Sequence, residues 1–153
     1  MAAVTICIAA IAPAYAQDPS DAPPADADFM PDPRTEAPLD EEALRAAFSG
    51  QTHLGTYNFK RPEIDTFSFR ETTSANGTTR HYHGDKIDTG TWRIMSNVIC
   101  FTYDNWNGGI HRACFNIFQR GNCYYHYALN QNGNFTARSV HAGETPDCEP
   151  AMV

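Results

Sequence analysis

Val98-Ile99-Cys100-Phe101-Thr102-Tyr103 places large apolar side chains at every second residue, runs into Asn107-Gly108-Gly109, and resumes at Arg112-Ala113-Cys114-Phe115. Period-two alternation on both sides of an Asn-Gly turn signals two antiparallel strands, each with one dry face. Thr66-Phe67-Ser68-Phe69-Arg70 repeats the alternation upstream. Five more turn signals, Ala75-Asn76-Gly77, Gly84-Asp85, Ser96-Asn97, Arg120-Gly121-Asn122 and Asn132-Gly133-Asn134, punctuate residues 51 to 145. They leave eight candidate strands near 52–59, 65–72, 78–83, 88–96, 98–104, 110–119, 123–129 and 135–141, with no helical pattern between them. The expected fold is therefore all-β, a small antiparallel eight-stranded meander that is either an up-and-down barrel or a sandwich. Closure removes exposed strand edges and favours the barrel. Fifteen of the chain's 18 aromatic residues fall in this stretch, so rings are expected to fill its core, leaving room for one small ligand at most.

Upstream, Leu39-Asp40-Glu41-Glu42-Ala43-Leu44-Arg45-Ala46-Ala47-Phe48-Ser49-Gly50 reads as one short helix over 39–50, capped by Asp40 and stopped by Gly50. Three turns are marginal alone, so the stripe of Ala43, Leu44, Ala47 and Phe48 is expected to lie on one end of the β domain. Residues 17–38, rich in Pro, Ala and Asp, read as a disordered acidic tether. Residues 1–16 read as a signal peptide, an apolar run ending in Ala14-Tyr15-Ala16 with small residues at the two positions a signal peptidase inspects. These readings place the protein in the periplasm or outside the cell.

Net charge is −7, but it belongs to the ends: residues 17–50 hold nine acids against two bases, whereas 51–145 hold seven acids and nine bases. With a nearly neutral domain and no basic stripe legible in the sequence, nucleic acid is not expected as the main partner. No stretch supplies the roughly 20 apolar residues of a membrane helix.

Beyond the leader, four cysteines are left, Cys100, Cys114, Cys123 and Cys148. An even number in an exported chain reads as two disulfides. A hairpin centred on Asn107 sets Cys100 opposite Cys114, which leaves Cys123 for Cys148 and ties the tail of residues 146–153 to the domain. A four-thiolate metal site would want closely spaced pairs, and the chain has no C-x-x-C.

Gly90-Thr91-Trp92-Arg93, Val98-Ile99-Cys100, Arg112-Ala113-Cys114-Phe115 and Asn132-Gly133-Asn134-Phe135 together resemble the layout of a family of small exported proteins of Gram-negative bacteria, catalogued as domain of unknown function number 995. The resemblance spans residues 48 to 140 and implies an envelope protein with no established catalytic residues. The chain departs from that layout in adding Cys123, Cys148 and the His81-Tyr82-His83 strand.

Chemistry is sparse in the sequence. No nucleophile-elbow, phosphate-loop or H-E-x-x-H motif occurs. The expectation is a non-enzymatic module without a cofactor, binding an envelope protein, a glycan or a small apolar ligand. Trp106, flanked by Asn105 and Asn107 in a glycine-rich loop, is the candidate contact, because loop tips on rigid scaffolds carry recognition. The alternative is a copper or zinc protein in which His81 and His83 share one strand face and His126 or His111 supplies a third ligand. Set against it, a His-x-His beside a turn is ordinarily solvated. A third reading, a hydrolase with two convergent carboxylates among Asp65, Glu71, Asp85, Asp88 and Asp104, has no spacing that selects a pair.

Overall fold

The computed structural model describes residues 30–58, 67–129 and 133–148. Helix α1 (Glu41–Phe48) is followed by β1 (Thr52–Tyr57), β2 (Ser68–Thr73), β3 (Thr78–His83), β4 (Lys86–Met95), β5 (Val98–Trp106), β6 (Gly109–Arg120), β7 (Cys123–Ala128) and β8 (Asn134–His141). Each strand pairs antiparallel with the next, and β8 pairs back onto β1 from His53↔His141 to Tyr57↔Ala137. The meander is a closed barrel, not a sandwich. The signal-peptide reading and residues 17–29 of the expected tether lie outside the described residues, as do 149–153 of the tail.

Local chemistry explains the tight connections. Between β5 and β6, Asn107 and Gly108 both have positive φ, +50° and +82°, and Trp106 pairs with Gly109 across them. That is the two-residue turn whose twist suits a hairpin, and Asn followed by Gly tolerates it best. On β4 a Cβ at Gly90 would lie 1.9 Å from the Thr102 carbonyl oxygen, so only glycine lets β4 bend this closely against β5.

Helix α1 plugs one end of the barrel. Asp40 Oδ1 accepts from the Ala43 amide at 2.9 Å, Leu39 N–H donates to the Ile117 carbonyl at 2.7 Å, and Leu44 and Phe48 are fully buried. They join Trp92, Ile99, Phe101, Tyr103, Ile117 and Tyr124 in the interior core. The carbonyls at the helix C-terminus, which have no partner within the helix, are met from the barrel. His53 and His141 donate to the Ala47 oxygen at 3.0 and 2.8 Å, and Thr73 donates to Phe48.

A second apolar cluster lies outside the wall. Strand β7 is buried along its whole length, because Tyr124 and His126 pack with the interior while Cys123, Tyr125 and Tyr127 join Phe118, Val140 and Cys148. Met30 packs on this cluster, Tyr127 donates to the Pro31 carbonyl at 2.6 Å, and Arg120 pairs with Glu36 at 2.6 Å. Residues 30–38 are thus a strap laid on the barrel, unlike the free tether expected. Their proline and acid content hid a few anchoring contacts. Both expected cysteine pairings are present: Cys100 and Cys114 face each other in the β5–β6 register with Cα atoms 4.1 Å apart, and Cys123–Cys148 bridges 5.6 Å to fasten the tail.

Candidate functional site inside the barrel

Alternation on β2 and β3 sends Phe69, Glu71 and Thr73, and Thr79, His81 and His83, to the interior. Register then sets Glu71 opposite His81, and His81 opposite Asp88 of β4, so one row across three strands reads carboxylate, imidazole, carboxylate. Glu71 is 5% exposed and accepts three bonds, from Thr79 Oγ1, from His81 Nδ1 and from the Tyr103 hydroxyl, the last at 2.9 Å. Since an ionised carboxylate only accepts, His81 Nδ1 carries a proton, and in the neutral ring Nε2 accepts from the Tyr57 hydroxyl at 2.5 Å. Phenol, imidazole and carboxylate are joined in line. Burial and the neighbouring Glu71 charge push the Tyr103 hydroxyl well above the usual phenol range, so it remains a donor.

A second chain of bonds follows the inner wall over the neighbouring strands β7, β8 and β1 to the helix. His53 Nε2 donates to the Ala47 oxygen, which leaves its Nδ1 to accept from Ser139 Oγ at 3.1 Å, and Ser139 Oγ in turn accepts from His126 Nε2 at 2.8 Å. Both rings are kept neutral. Burial lowers His126 to about 3, with the repulsion that a protonated His53 or His81 would exert adding to it, and burial lowers His53 to about 4 against the opposing Ala47 bond.

Between these chains lies a cavity of about 50 Å³, lined among others by Phe48, Tyr57, Phe69, Phe101, Phe115 and His126. Its walls are mainly aromatic, with polar atoms from Glu71 and His81 on one side and His126 and Thr136 on the other.

The residues singled out by sequence fall as follows. His81 and His83 do share a face, with ring centroids 5.3 Å apart, but the face is buried, not solvated. Each ring has its own carboxylate: His81 bonds Glu71, and His83 Nε2 bonds Asp88 at 2.7 Å. His83 Nδ1 is buried without a partner. His126 lines the cavity with His81, and His111 stacks on Trp106 at 5.3 Å. Among the described residues no group of three His, Cys, Asp or Glu side chains is placed to hold a metal ion. Of the carboxylates, Glu71 and Asp88 face inward, Asp85 and Asp104 are exposed, and Asp65 lies outside the described residues.

Trp106 is not at an exposed tip. It is 8% exposed and packs on Tyr103, His81 and His83 at 5.2, 5.4 and 4.9 Å, while Asn105 and Asn107 are exposed. Strict alternation from Tyr103 would point Trp106 outward. The register shifts between Tyr103 and Trp106, and the extra residue turns the indole into the barrel. Sequence reasoning passed over Tyr57, Tyr103, His53 and Ser139 as site residues. The alternation of Phe69, Glu71 and Thr73 already carried the signal for Glu71, because it puts that carboxylate on the face of a core phenylalanine.

Comparison with family models, with curated proteins and with solved structures gives no match for this chain.

Proposed function

We propose that the protein is a non-enzymatic binding barrel that holds a compact ligand in its lumen, in the periplasm or outside the cell. The observation that carries this reading is the interior itself. Apolar side chains would fill an eight-stranded barrel and stabilise it better than buried ion pairs, which at best break even against a hydrophobic replacement. Here Glu71, Asp88, His53, His81, His83 and His126 are all buried. Such a polar interior is retained for something other than stability.

Size and lining describe the ligand. A cavity of about 50 Å³ exceeds the roughly 10–15 Å³ one water requires and falls short of the ~150 Å³ that admits a benzene ring. A body of a few non-hydrogen atoms, apolar on one side with one hydrogen-bonding end, fits between the phenyl rings and the Tyr57, His81 and His126 groups. The two disulfides support an oxidising compartment, and the motif-level resemblance to exported envelope proteins agrees with it.

The test is nuclear magnetic resonance of the His81, His126 and Tyr57 side chains during titration with short-chain alcohols, amides and carboxylic acids. Saturable shifts confined to the lumen, abolished by filling it with Ala137→Leu, are expected. Absence of saturable shifts across the panel would overturn the reading.

A second reading rests on one geometry, the in-line Tyr57–His81–Glu71 chain. Imidazole accepting a phenolic proton while a carboxylate steadies the imidazolium is how a weak nucleophile or base is activated. Under that reading the lumen ligand is a substrate. It requires turnover that Tyr57→Phe abolishes.

A further inference from the structure

The outside of the barrel is divided. The wall of β7, β8 and the C-terminal end of β6 is covered by the strap and the tail, whereas the wall of β2 to β5 and the N-terminal half of β6 carries neither. On that bare wall the register generates four successive rows of outward side chains: Arg70, Tyr82, Ile87; then Thr72, Arg80, Thr89; then Thr78, Thr91, Thr102, Arg112; then Arg93 beside the Cys100–Cys114 bridge. Each row holds one arginine, and rows two residues apart along a strand are about 7 Å apart. All four arginines are exposed. Arg70 lies over the Tyr82 ring, 4.0 Å from its centroid, while Arg80, Arg93 and Arg112 make no ion pair or side-chain hydrogen bond among the described residues. Asp104 of β5 is the one exposed carboxylate on these five strands, because Glu71 and Asp88 point inward.

Beside Arg80 lies a groove of about 470 Å³, lined among others by Thr72, Thr78, Arg80, Tyr82, Thr89 and Asp104. Its size lies in the range of ligand clefts, and it is roughly tenfold larger than the lumen cavity. The threonine hydroxyls both donate and accept, which matches a ligand dense in hydroxyl groups. The guanidinium forks match carboxylate or sulfate oxygens.

We infer that this wall binds an anionic polysaccharide, a chain of sugars bearing carboxylates, laid along the strands of β2 to β6. The periodic cations meet its charges, the threonine rows meet its hydroxyls, and Tyr82, covered on one ring face by Arg70, adds an aromatic edge. An acidic peptide would use the arginines but leave the threonine rows idle. An anionic membrane would require a contiguous apolar patch to enter it, and the large exposed hydrophobes of these strands, Ile87, Met95 and Ile110, stand singly near strand ends. The inference is independent of the lumen.

The test uses the full chain and four probes in calorimetry: polygalacturonate oligomers, poly-L-glutamate, neutral dextran, and phosphatidylcholine vesicles with and without phosphatidylglycerol. Expected is binding to polygalacturonate that weakens with salt, at least tenfold tighter than to poly-L-glutamate or dextran. The exposed double change Arg80→Ser with Arg112→Ser is expected to weaken it about tenfold at unchanged melting temperature, and Thr91→Val with Thr102→Val severalfold. The inference is overturned if polygalacturonate fails to bind, if poly-L-glutamate or the vesicles bind as tightly, or if the double arginine variant binds like the parent.

Discussion

Glu71 of β2 and His81 of β3 are register partners whose inward side chains bond to each other, and each recruits a phenol: Tyr103 on the carboxylate, Tyr57 on the imidazole. Four polar groups from four strands thus share one buried site. Its parts are not interchangeable. Glu71→Ala leaves His81 Nδ1 and the Tyr103 hydroxyl without their acceptor, with Thr79 keeping only the Thr72 carbonyl, and is expected to cost about 3–5 kcal/mol, as does removing one partner of a buried pair. Tyr57→Phe removes the hydroxyl that bonds His81 and is expected to cost about 1 kcal/mol. Urea unfolding of the two variants measures the contrast.

The lumen histidines set an acid limit. His126 and His53 have folded values of about 3 and about 4, below the ordinary imidazole value of 6.5 that applies in the unfolded chain. Unfolding therefore takes up protons at these sites as pH falls below about 6.5, and stability drops by about 1.4 kcal/mol per pH unit for each. Their contribution is complete above that pH and is lost as pH falls toward their folded values. Denaturation midpoints between pH 7 and pH 4.5 should fall accordingly, and His126→Asn should flatten the dependence.

Trp106→Ala is expected to lower stability by about 3–5 kcal/mol, since it opens a void among Tyr103, His81 and His83. A melting temperature within a degree or two of the parent would show that the indole is not core. Asn107→Gly, at a positive φ in the adjacent turn, should be neutral or mildly stabilising.

Strap and helix both bear load, in different places. Leu44→Asp puts a charge at a fully buried position against Phe48 and Ile117 and should cost several kcal/mol. Replacing residues 30–38 by a Gly-Ser linker should also destabilise, by uncovering Phe118, Tyr125 and Tyr127, with increased binding of a hydrophobic dye as its signature. Calorimetry of the linker variant at the parent melting temperature would refute the docked strap.

Each disulfide closes a loop worth about 3 kcal/mol in the chain-entropy account, so reduction should lower the melting temperature markedly. Peptide mapping without reductant should return Cys100 with Cys114 and Cys123 with Cys148.

The strands were legible because alternation and turn residues are local signals: Ile99, Phe101 and Tyr103 are buried as their spacing demands, and Cys100 meets Cys114 because the Asn107-Gly108 turn sets the register. Helix α1 was legible for the same reason, through Asp40 and the Leu44–Phe48 stripe. The site was not. Glu71, Tyr103 and Ser139 come from strands far apart in sequence, and only closure of the ring brings them to one lumen. Trp106 shows the limit within a single strand, where one extra residue in β5 reverses every inference of facing beyond it. The strap was missed because composition averages over a segment, while Pro31 and Glu36 dock through single atoms.

Tyr125 and Tyr127 are alternate residues of β7, and their hydroxyls hold the Cys148 and Pro31 carbonyls. The two places where the described chain enters and leaves the domain are therefore neighbours, on the wall opposite the arginine rows. An attachment made at Pro31 or Cys148 thus meets the barrel on its covered side. A probe fixed to either of these two positions leaves the bare wall of β2 to β5 on the far side of the barrel.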